Sequence, residues 1–285
     1  MKRSMPRSSK LYTFMLLALV GAGAFPLVYF VSVETGIAQA AVDSTEATSV
    51  DSTEFGRYIE NVAFGVGERL EFDINYGFIN AGSAVMEATR LVEFEGRPCY
   101  QIVTTANSNK FFSSFYTVDD RVESIMDAVG LFSWHFEKRL REGNYRSERM
   151  HRIDQRNHVA YYNDKDTIEV TPFIQDALSA LYYIRTQNLE PGKSVFVDNF
   201  TDGKRYPLEV KVHRRERITV KAGTFDCLVV EPLMRSVGVF KHEGKLTVYL
   251  TDDLVKLPVL MKSKVLVGSI SAELTDYHLG ELELF

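Results

Sequence analysis

The fold is decided by one stretch of alternating residues, Leu70-Glu71-Phe72-Asp73-Ile74-Asn75-Tyr76. Successive side chains of a β-strand point to opposite faces, so strict alternation of apolar and polar residues predicts a strand with one buried and one solvated face. An amphipathic helix would instead repeat its apolar residues every three or four positions.

The same alternation recurs along the chain, at residues 132–140, 206–212 and 246–250. Residues with turn preferences separate the predicted strands: Glu95-Gly96, Glu142-Gly143-Asn144, Asn163-Asp164, Asp202-Gly203 and Glu243-Gly244. Many strands joined by short turns predict a single antiparallel meander.

One segment follows a helical period. Asp176 is a favourable N-cap, and Leu178, Leu181 and Ile184 fall on one stripe of the helix that would follow it. Pro191-Gly192 ends the pattern. We therefore predict a mainly β fold, in which the meander curves into a half-barrel or open barrel. One helix near residues 176–188 would plug its concave side.

The first forty residues have the parts of a secretory signal. Four basic residues and no acid lie within residues 1–10, and residues 11–33 carry no charge. Cleavage after Ala40 is favoured, because cleavage after Ala24 would leave an exposed apolar tail. The alternative is a retained anchor, since the apolar run approaches the ~20 residues of a membrane-spanning helix. Either way the sequence predicts export to the periplasm of a bacterial envelope, or anchoring in the inner membrane facing the periplasm.

Residues 41–60 are rich in small and polar side chains and predict a disordered linker, leaving residues 61–285 as one β-rich domain. The whole chain has a net charge of −5, and residues 1–40 contribute four positive charges and one negative, so the remainder carries −8. An acidic domain is poorly suited to nucleic acid. Membrane contact is expected only through the N-terminal segment, if it is uncleaved.

Motifs for catalysis are missing from the sequence. It contains no Gly-x-Ser-x-Gly nucleophile elbow and no phosphate-binding glycine loop, and its six histidines have no metal-ligand spacing. We therefore expect no enzyme activity, no metal and no cofactor, and we place a hydrolase behind two binding hypotheses.

The candidate binding residues are aromatic and apolar. Phe132, Trp134 and Phe136 recur at period two, and Leu181 and Tyr182 lie on the predicted helix. They are either ordinary core or, in an under-filled curved sheet, the lining of a hydrophobic pocket.

The candidate polar residues belong to two acidic doublets. Asp119-Asp120 and Asp252-Asp253 are either turns or solvated strand ends, or one acid of each turns inward to meet Arg121 or Arg185. We predict that Asp120 or Asp253 holds Arg185 in a buried pair.

The two cysteines, Cys99 and Cys227, lie on different predicted strands. In an exported chain they either form a disulfide or are buried apart from each other.

With these residues in view, the domain resembles the DUF3108 family of envelope proteins from Gram-negative bacteria. The resemblance rests on short motifs that follow one another in order: Gly67-Glu68-x-Leu70-x-Phe72, Ala81-Gly82-x-Ala84, Tyr116-x-Val118-x-Asp120, Asp176-x-Leu178-Ser179-x-Leu181-Tyr182-Tyr183-x-Arg185, Ala222-Gly223-Thr224-Phe225-x-Cys227, and Asp252-Asp253 followed by Leu257-Pro258-Val259. The chain departs from the expected pattern at Tyr249-Leu250-Thr251, where a tryptophan and a serine would be expected. The resemblance implies an antiparallel half-barrel wrapped on a helix, similar to periplasmic lipoprotein carriers, and no established activity.

Two functions follow as hypotheses. The first is a binding module whose concave sheet holds an acyl chain, a lipid or a lipoprotein segment. The second is a non-catalytic structural or assembly factor of the envelope that offers a sheet edge or the basic hairpin at residues 138–156 to a protein partner. A cavity beside Trp134 would favour the first, and a filled core with an exposed apolar patch would favour the second.

Overall fold

The computed structural model describes residues 55–234, 246–264, 268–283 and 285. Within them, fourteen strands form one antiparallel sheet, accompanied by two helices. The strands are β1 (Glu68–Tyr76), β2 (Ile79–Phe94), β3 (Arg97–Ser108), β4 (Asp119–Asp127), β5 (Ser133–Glu142), β6 (Tyr145–Asp154), β7 (Val159–Tyr162), β8 (Asp166–Glu169), β9 (Ser194–Thr201), β10 (Lys204–Val220), β11 (Gly223–Met234), β12 (Leu246–Thr251), β13 (Pro258–Lys264) and β14 (Ser269–His278). The helices are α1 (Lys110–Ser113) and α2 (Ala177–Arg185).

The strand order is that of two meanders joined along the middle of the sheet. Strands run in the order β8-β7-β6-β5-β4-β3-β2-β1-β14-β13-β12-β11-β10-β9, so β1 pairs with β2 on one side and with β14 on the other. The chain passes from β8 to β9 through α2. The predicted mainly β meander with one plugging helix is confirmed.

Strand β1 shows why the alternating pattern folds as it does. Leu70, Phe72 and Ile74 are buried in the largest core cluster, whereas Glu71 and Asp73 lie on the opposite, partly solvated face. Each large apolar side chain removed from water stabilises the fold by roughly 1.5–3 kcal/mol. The same face of every neighbouring strand is apolar, and together these faces form the concave side.

Two-residue turns connect many of the strands. Glu95 and Gly96 link β2 to β3, and both have positive φ angles, of 52° and 76°. Asp202-Gly203 forms the corresponding two-residue turn between β9 and β10, and Asn163-Asp164 begins the three-residue turn between β7 and β8. Glycine, asparagine and aspartate tolerate this backbone region best, which is why these turns were predictable from sequence.

The sheet remains open between its two end strands, β8 and β9, and side chains hold β9 and the β9–β10 turn against β5 and β6. The carboxylate of Asp202, in the β9–β10 turn, lies 3.1 Å from Lys138 Nζ and 3.1 Å from an Arg149 guanidinium nitrogen. Beside it, the rings of His151 and Phe200 are 4.9 Å apart, edge to face. We call this contact zone the seam.

Among the described residues, backbone pairing across the seam occurs in a short segment before α2. Gln175 N–H donates to Asp198 O at 2.9 Å, and Phe200 N–H donates to Gln175 O at 2.8 Å. This parallel bridge to β9 is outside the regular ladders of the sheet.

The predicted alternation at residues 132–140 is wrong in its first half. The β4–β5 pairing shifts register between Ile125 and Met126, so Ser133 and Trp134 are both buried, on opposite faces. Such a bulge inserts one residue and reverses the side-chain alternation beyond it. Phe136 and Leu140 therefore join the main core, while Phe132 and Trp134 belong to a separate cluster.

The N-terminal boundary of the folded region lies earlier than residue 61. Phe55 packs edge to face on Phe132 at 5.3 Å and on Trp134 at 5.8 Å, and Ile59 N–H donates to Val129 O at 3.0 Å. The predicted linker over residues 41–60 is thus wrong for its last six residues. The predicted signal, its cleavage sites and the rest of the linker lie outside the described residues, as does the turn at Glu243-Gly244. Among the helices of the described part, none is both long enough and apolar enough to cross a bilayer.

Candidate functional site

The concave side of the sheet is occupied by α2, which is fixed at its N-terminus by Asp176. One carboxylate oxygen accepts the N–H groups of Leu178 and Ser179, at 2.7 and 2.8 Å, and Ser179 Oγ accepts the Asp176 N–H at 2.9 Å. This reciprocal capping box satisfies backbone donors that the first helical turn leaves free.

The second carboxylate oxygen of Asp176 joins the helix to the sheet. Ser124 Oγ on β4 and Ser133 Oγ on β5 donate to it at 2.6 and 2.5 Å. Burial raises the pKa of Asp176, and the two hydroxyls and two backbone N–H groups act in the opposite direction.

The C-terminal end of α2 is fixed by a buried ion pair. Arg185 donates two parallel hydrogen bonds to the carboxylate of Glu68 on β1, at 2.7 and 2.6 Å, and both side chains are buried. It also donates to Ala63 O at 2.9 Å and to Val255 O at 3.2 Å. Burial alone would lower the pKa of Arg185, but the attraction and hydrogen bonds of Glu68, with smaller contributions from Tyr182 and Asp253, together outweigh this and raise it.

The predicted partners of Arg185 are wrong, although the pair is buried as predicted. Asp253 accepts hydrogen bonds from Thr251 Oγ1, Val255 N–H and Lys256 N–H within its own turn. Arg121 lies on the surface and pairs with Glu123 at 2.7 Å. Glu68 was missed, although it precedes Leu70 on the face that the alternation marks as buried.

Asp120 faces the interior near the other end of the sheet. It accepts the Arg141 N–H at 2.7 Å and hydrogen-bonds the carboxyl group of Glu142, and both acids are buried. Burial raises the pKa of Asp120 to about 6, while these two hydrogen bonds oppose the shift. Two carboxyl groups in contact are compatible at neutral pH when they share a proton.

The predicted pocket residues separate into two groups. Tyr182 is fully buried against the ring of Phe64 at 4.8 Å, Phe136 stacks on His151 at 5.0 Å, and Leu181 packs partly buried against the same core. Phe132 and Trp134 lie on the other face of the sheet. The concave side thus holds three of the five.

The outer cluster has its own buried ion pair. Arg97 contacts the Asp127 carboxylate at 2.5 and 3.1 Å, and Trp134 Nε1–H donates to the same carboxylate at 3.2 Å. The Arg97 guanidinium also lies 5.1 Å from the Phe55 ring centroid, within cation–π range. Phe55, in the segment that precedes β1, covers Phe132 and Trp134.

Both described cysteines are free and buried. Cys99 lies in the Trp134 cluster on β3, and Cys227 lies on β11, six strands away in the sheet order. The two thiols belong to separate buried clusters, whereas a disulfide requires Cα atoms within about 7 Å of each other. The disulfide alternative is therefore contradicted. Burial raises the pKa of both thiols, that of Cys227 to about 11.

Residues 71–275 match the family described as "Protein of unknown function (DUF3108)". The match covers most of the chain and nearly all of the sheet. The chain belongs to the DUF3108 family. The resemblance inferred from the short motifs is confirmed. A comparison with curated proteins gives no match.

Solved structures resemble this DUF3108 chain in fold. A β-barrel-like protein of the DUF1849 family from Brucella abortus has a TM-score of 0.52 and 9% identity, and the match covers 77% of this chain and 100% of that one. A candidate lipoprotein from Parabacteroides distasonis has a TM-score of 0.34 and 11% identity, with 78% and 99% of the two chains covered. The first match places the DUF3108 sheet among barrel-like folds.

The described part of this DUF3108 chain contains no group of three histidine, cysteine or acidic side chains arranged to hold a metal ion. On the concave side, the structure brings together the Asp176 cap of α2, the Arg185–Glu68 pair and the Asp120–Glu142 contact. Their hydrogen bonds position a helix and a sheet against each other.

Proposed function

We propose that the chain is an exported, non-catalytic protein of the bacterial envelope that works by binding a partner on its outer surface. One observation carries this proposal: α2 is locked onto the concave side at both ends by buried charged groups, Asp176 and the Arg185–Glu68 pair. A ligand pocket on the concave side, typically of about 300–1,000 Å³, would compete with this helix for space. Breaking a buried ion pair costs roughly 3–5 kcal/mol, so the helix behaves as permanent core.

The core around α2 supports the same view. Leu178, Tyr182 and Ile184 are buried among inward-facing side chains from both meanders. The aromatic stripe that suggested a pocket is divided by the bulge in β5, and its Trp134 half is covered by Phe55. Several large apolar side chains are instead exposed on the surface, and four of them, Phe78, Ile79, Phe111 and Phe115, lie at one end of the sheet. An interior occupied by α2, together with exposed apolar side chains, favours an external partner.

Export is supported by the basic start and the charge-free residues 11–33. Fusing residues 1–60 to a reporter that is active only outside the cytoplasm should give an active reporter. A reporter that stays inactive outside and accumulates in the cytoplasm would contradict export. N-terminal sequencing of the processed protein is expected to begin at Ala41.

The second candidate function is the binding of an acyl chain, lipid or lipoprotein segment on the concave side. The seam favours it, because side chains and one short backbone bridge are the contacts that hold β9 and β10 against β5 and β6 in the described structure. If Asp202 separated from Lys138 and Arg149, the sheet would open beside an apolar interior.

Native mass spectrometry separates the two candidates. Protein purified from its own envelope should have the mass of the bare chain, and should keep it after incubation with phospholipid and removal of the excess. A lipid that remains bound and is displaced when the seam is loosened by Asp202→Ala would establish the interior site and contradict our proposal.

A further inference from the structure

Four large apolar side chains project from one end of the sheet. Phe78 and Ile79 lie at the β1–β2 turn, and Phe111 and Phe115 lie in the connection between β3 and β4. Phe78 is fully exposed, and the other three are 57%, 68% and 58% exposed. We call these residues the apolar tip. Consecutive antiparallel strands place the β1–β2 turn and the β3–β4 connection at the same end of the sheet.

The two loops of the apolar tip are joined rigidly. Asn109 donates from its side chain to Asn80 O at 2.8 Å and from its backbone to Ala81 O at 2.9 Å. Gly82 permits this close approach, because a Cβ at that position would lie 2.1 Å from Asn107 O. The exposed side chains are thus held in place before any partner arrives.

A buried ring supports the exposed ones from below. Phe112 is buried, and the ring centroid of Phe115 lies 5.2 Å from it. Phe111 lies 5.6 Å from each of these two rings. A short helix, α1, therefore presents two phenylalanines outward on a third that anchors it.

The apolar tip contains fewer charged residues than the rest of the chain. Residues 77–82 and 107–118 contain a single charged side chain, Lys110, and no acid, whereas a quarter of the whole chain is charged and its net charge is −5. Lys110 is exposed and adjacent to Phe111. Apolar rings bordered by a lysine match the interface of a bilayer that contains anionic lipid, where the rings enter the headgroup layer and the ammonium remains at the surface.

We propose that the apolar tip docks onto the surface of a bilayer that contains anionic phospholipid. This proposal rests on the proposed function, because it identifies the partner that the outer surface would bind. The tip consists of projecting loops, and projecting rings suit a planar lipid surface better than a partner groove. Under the export proposed from residues 1–40, the domain would emerge beside a membrane whether the segment is cleaved or retained, so this partner would be at hand.

Tryptophan quenching by brominated phospholipid tests this in the full chain. Phe111→Trp places an indole in the tip, and Phe196→Trp is the matched control, since Phe196 is 63% exposed on β9. The native Trp134 is buried at the other end of β4 and β5, so it is a constant background in both variants. In vesicles of phosphatidylethanolamine and phosphatidylglycerol, Phe111→Trp should be quenched severalfold more than Phe196→Trp.

Further variants identify which forces act. In the Phe111→Trp background, Phe115→Ser should lower the apparent vesicle affinity roughly tenfold, the factor expected for one large apolar side chain. Lys110→Glu should lower the affinity for phosphatidylglycerol-containing vesicles by about fivefold or more, and should have little effect with phosphatidylcholine alone.

Two outcomes would overturn the proposal. Equal quenching of the two tryptophan variants would mean that the tip does not enter the bilayer. A blue-shifted Phe111→Trp emission that grows with protein concentration in the absence of vesicles would identify a second copy of the chain as the occupant. Neither outcome depends on the native mass measurement, which tests the interior of the sheet separately.

Discussion

At the scale of single residues, the pair between Arg185 and Glu68 is the contact that joins the two meanders to the helix. Glu68 begins β1, at the centre of the sheet, and Arg185 ends α2. The guanidinium also donates to Ala63 O and Val255 O, so most of its hydrogen-bonding capacity is used within the core. A planar, permanently charged donor set is well suited to such a position, and a lysine could not reproduce it.

Arg185→Ala should lower the free energy of unfolding by roughly 3–5 kcal/mol, because Glu68 would remain buried without its partner. Urea denaturation measures this change. Arg217→Ala is the control, since Arg217 pairs with Asp226 on the exposed surface and its loss should have little effect on stability. Equal midpoints for the two variants would mean that the Arg185 pair does not stabilise the core.

The burial of Asp120 makes stability depend on pH. The pKa of Asp120 is raised from 3.8 to about 6, so the folded state binds more protons than the unfolded state between these values. The stabilising contribution is therefore complete below about pH 4 and is lost as pH rises through 6.

Asp120→Asn should remove this dependence. Between about pH 4 and pH 7, the free energy of unfolding of the wild type should fall by roughly 1–3 kcal/mol relative to the variant, since one pKa unit is worth about 1.4 kcal/mol. Denaturation at several pH values measures the difference. Asp119→Asn is the control, because Asp119 is exposed and pairs with Arg141 at 3.3 Å. The same slope in both variants would contradict the assignment to Asp120.

At the scale of elements, regular strands were predictable and the irregular ones were not. The alternation in β1 predicts both its extent and its buried face, because the register shifts in its two ladders place the extra residue on β14 and on β2, and the alternation of β1 itself is unbroken. In β5 the bulge is set by how β4 meets it, which a single strand's sequence does not encode. The helix was predictable from its own cap and stripe, whereas the one-turn helix α1 was too short to produce a period.

The helix α2 offers a comparison between two leucines. Leu178 is fully buried, while Leu181, which the sequence placed on the same stripe, is only partly buried. Leu178→Ala should lower the free energy of unfolding by roughly 2–5 kcal/mol, the usual cost of a core truncation, and Leu181→Ala should cost less. Thermal or urea denaturation gives the order. If both variants melt with the wild type, α2 is not part of the core.

At the scale of the whole molecule, the open sheet was predictable and the way it is held together was not. The number of strands and the lone helix indicate a curved meander, but the partners that meet across the fold are far apart in sequence. Glu68 and Arg185 are 117 positions apart, and Lys138 and Asp202 are 64 apart. Single-sequence periodicity contains no information on such pairs, so the predicted acids near Arg185 were wrong while the predicted buried pair was right.

The seam gives the last prediction. Asp202→Ala leaves Lys138 and Arg149 facing each other with the carboxylate removed, and both are largely buried, with side-chain exposures of 6% and 19%. We expect a loss of roughly 2–4 kcal/mol in the free energy of unfolding, smaller than for a fully buried pair. Asp226→Ala, which removes an exposed ion pair, should cost far less.

Hydrogen exchange locates the effect of Asp202→Ala. Local opening at the seam should accelerate amide exchange in β9, in β10 near the turn and in the facing parts of β5 and β6. Exchange in β1 and β14 should stay slow, because these strands are paired on both sides at the centre of the sheet. Uniform acceleration across all strands would mean that the seam opens only when the whole sheet unfolds. In that case the described structure behaves as one cooperative unit, and a ligand could not enter between β5–β6 and β9–β10 without unfolding it.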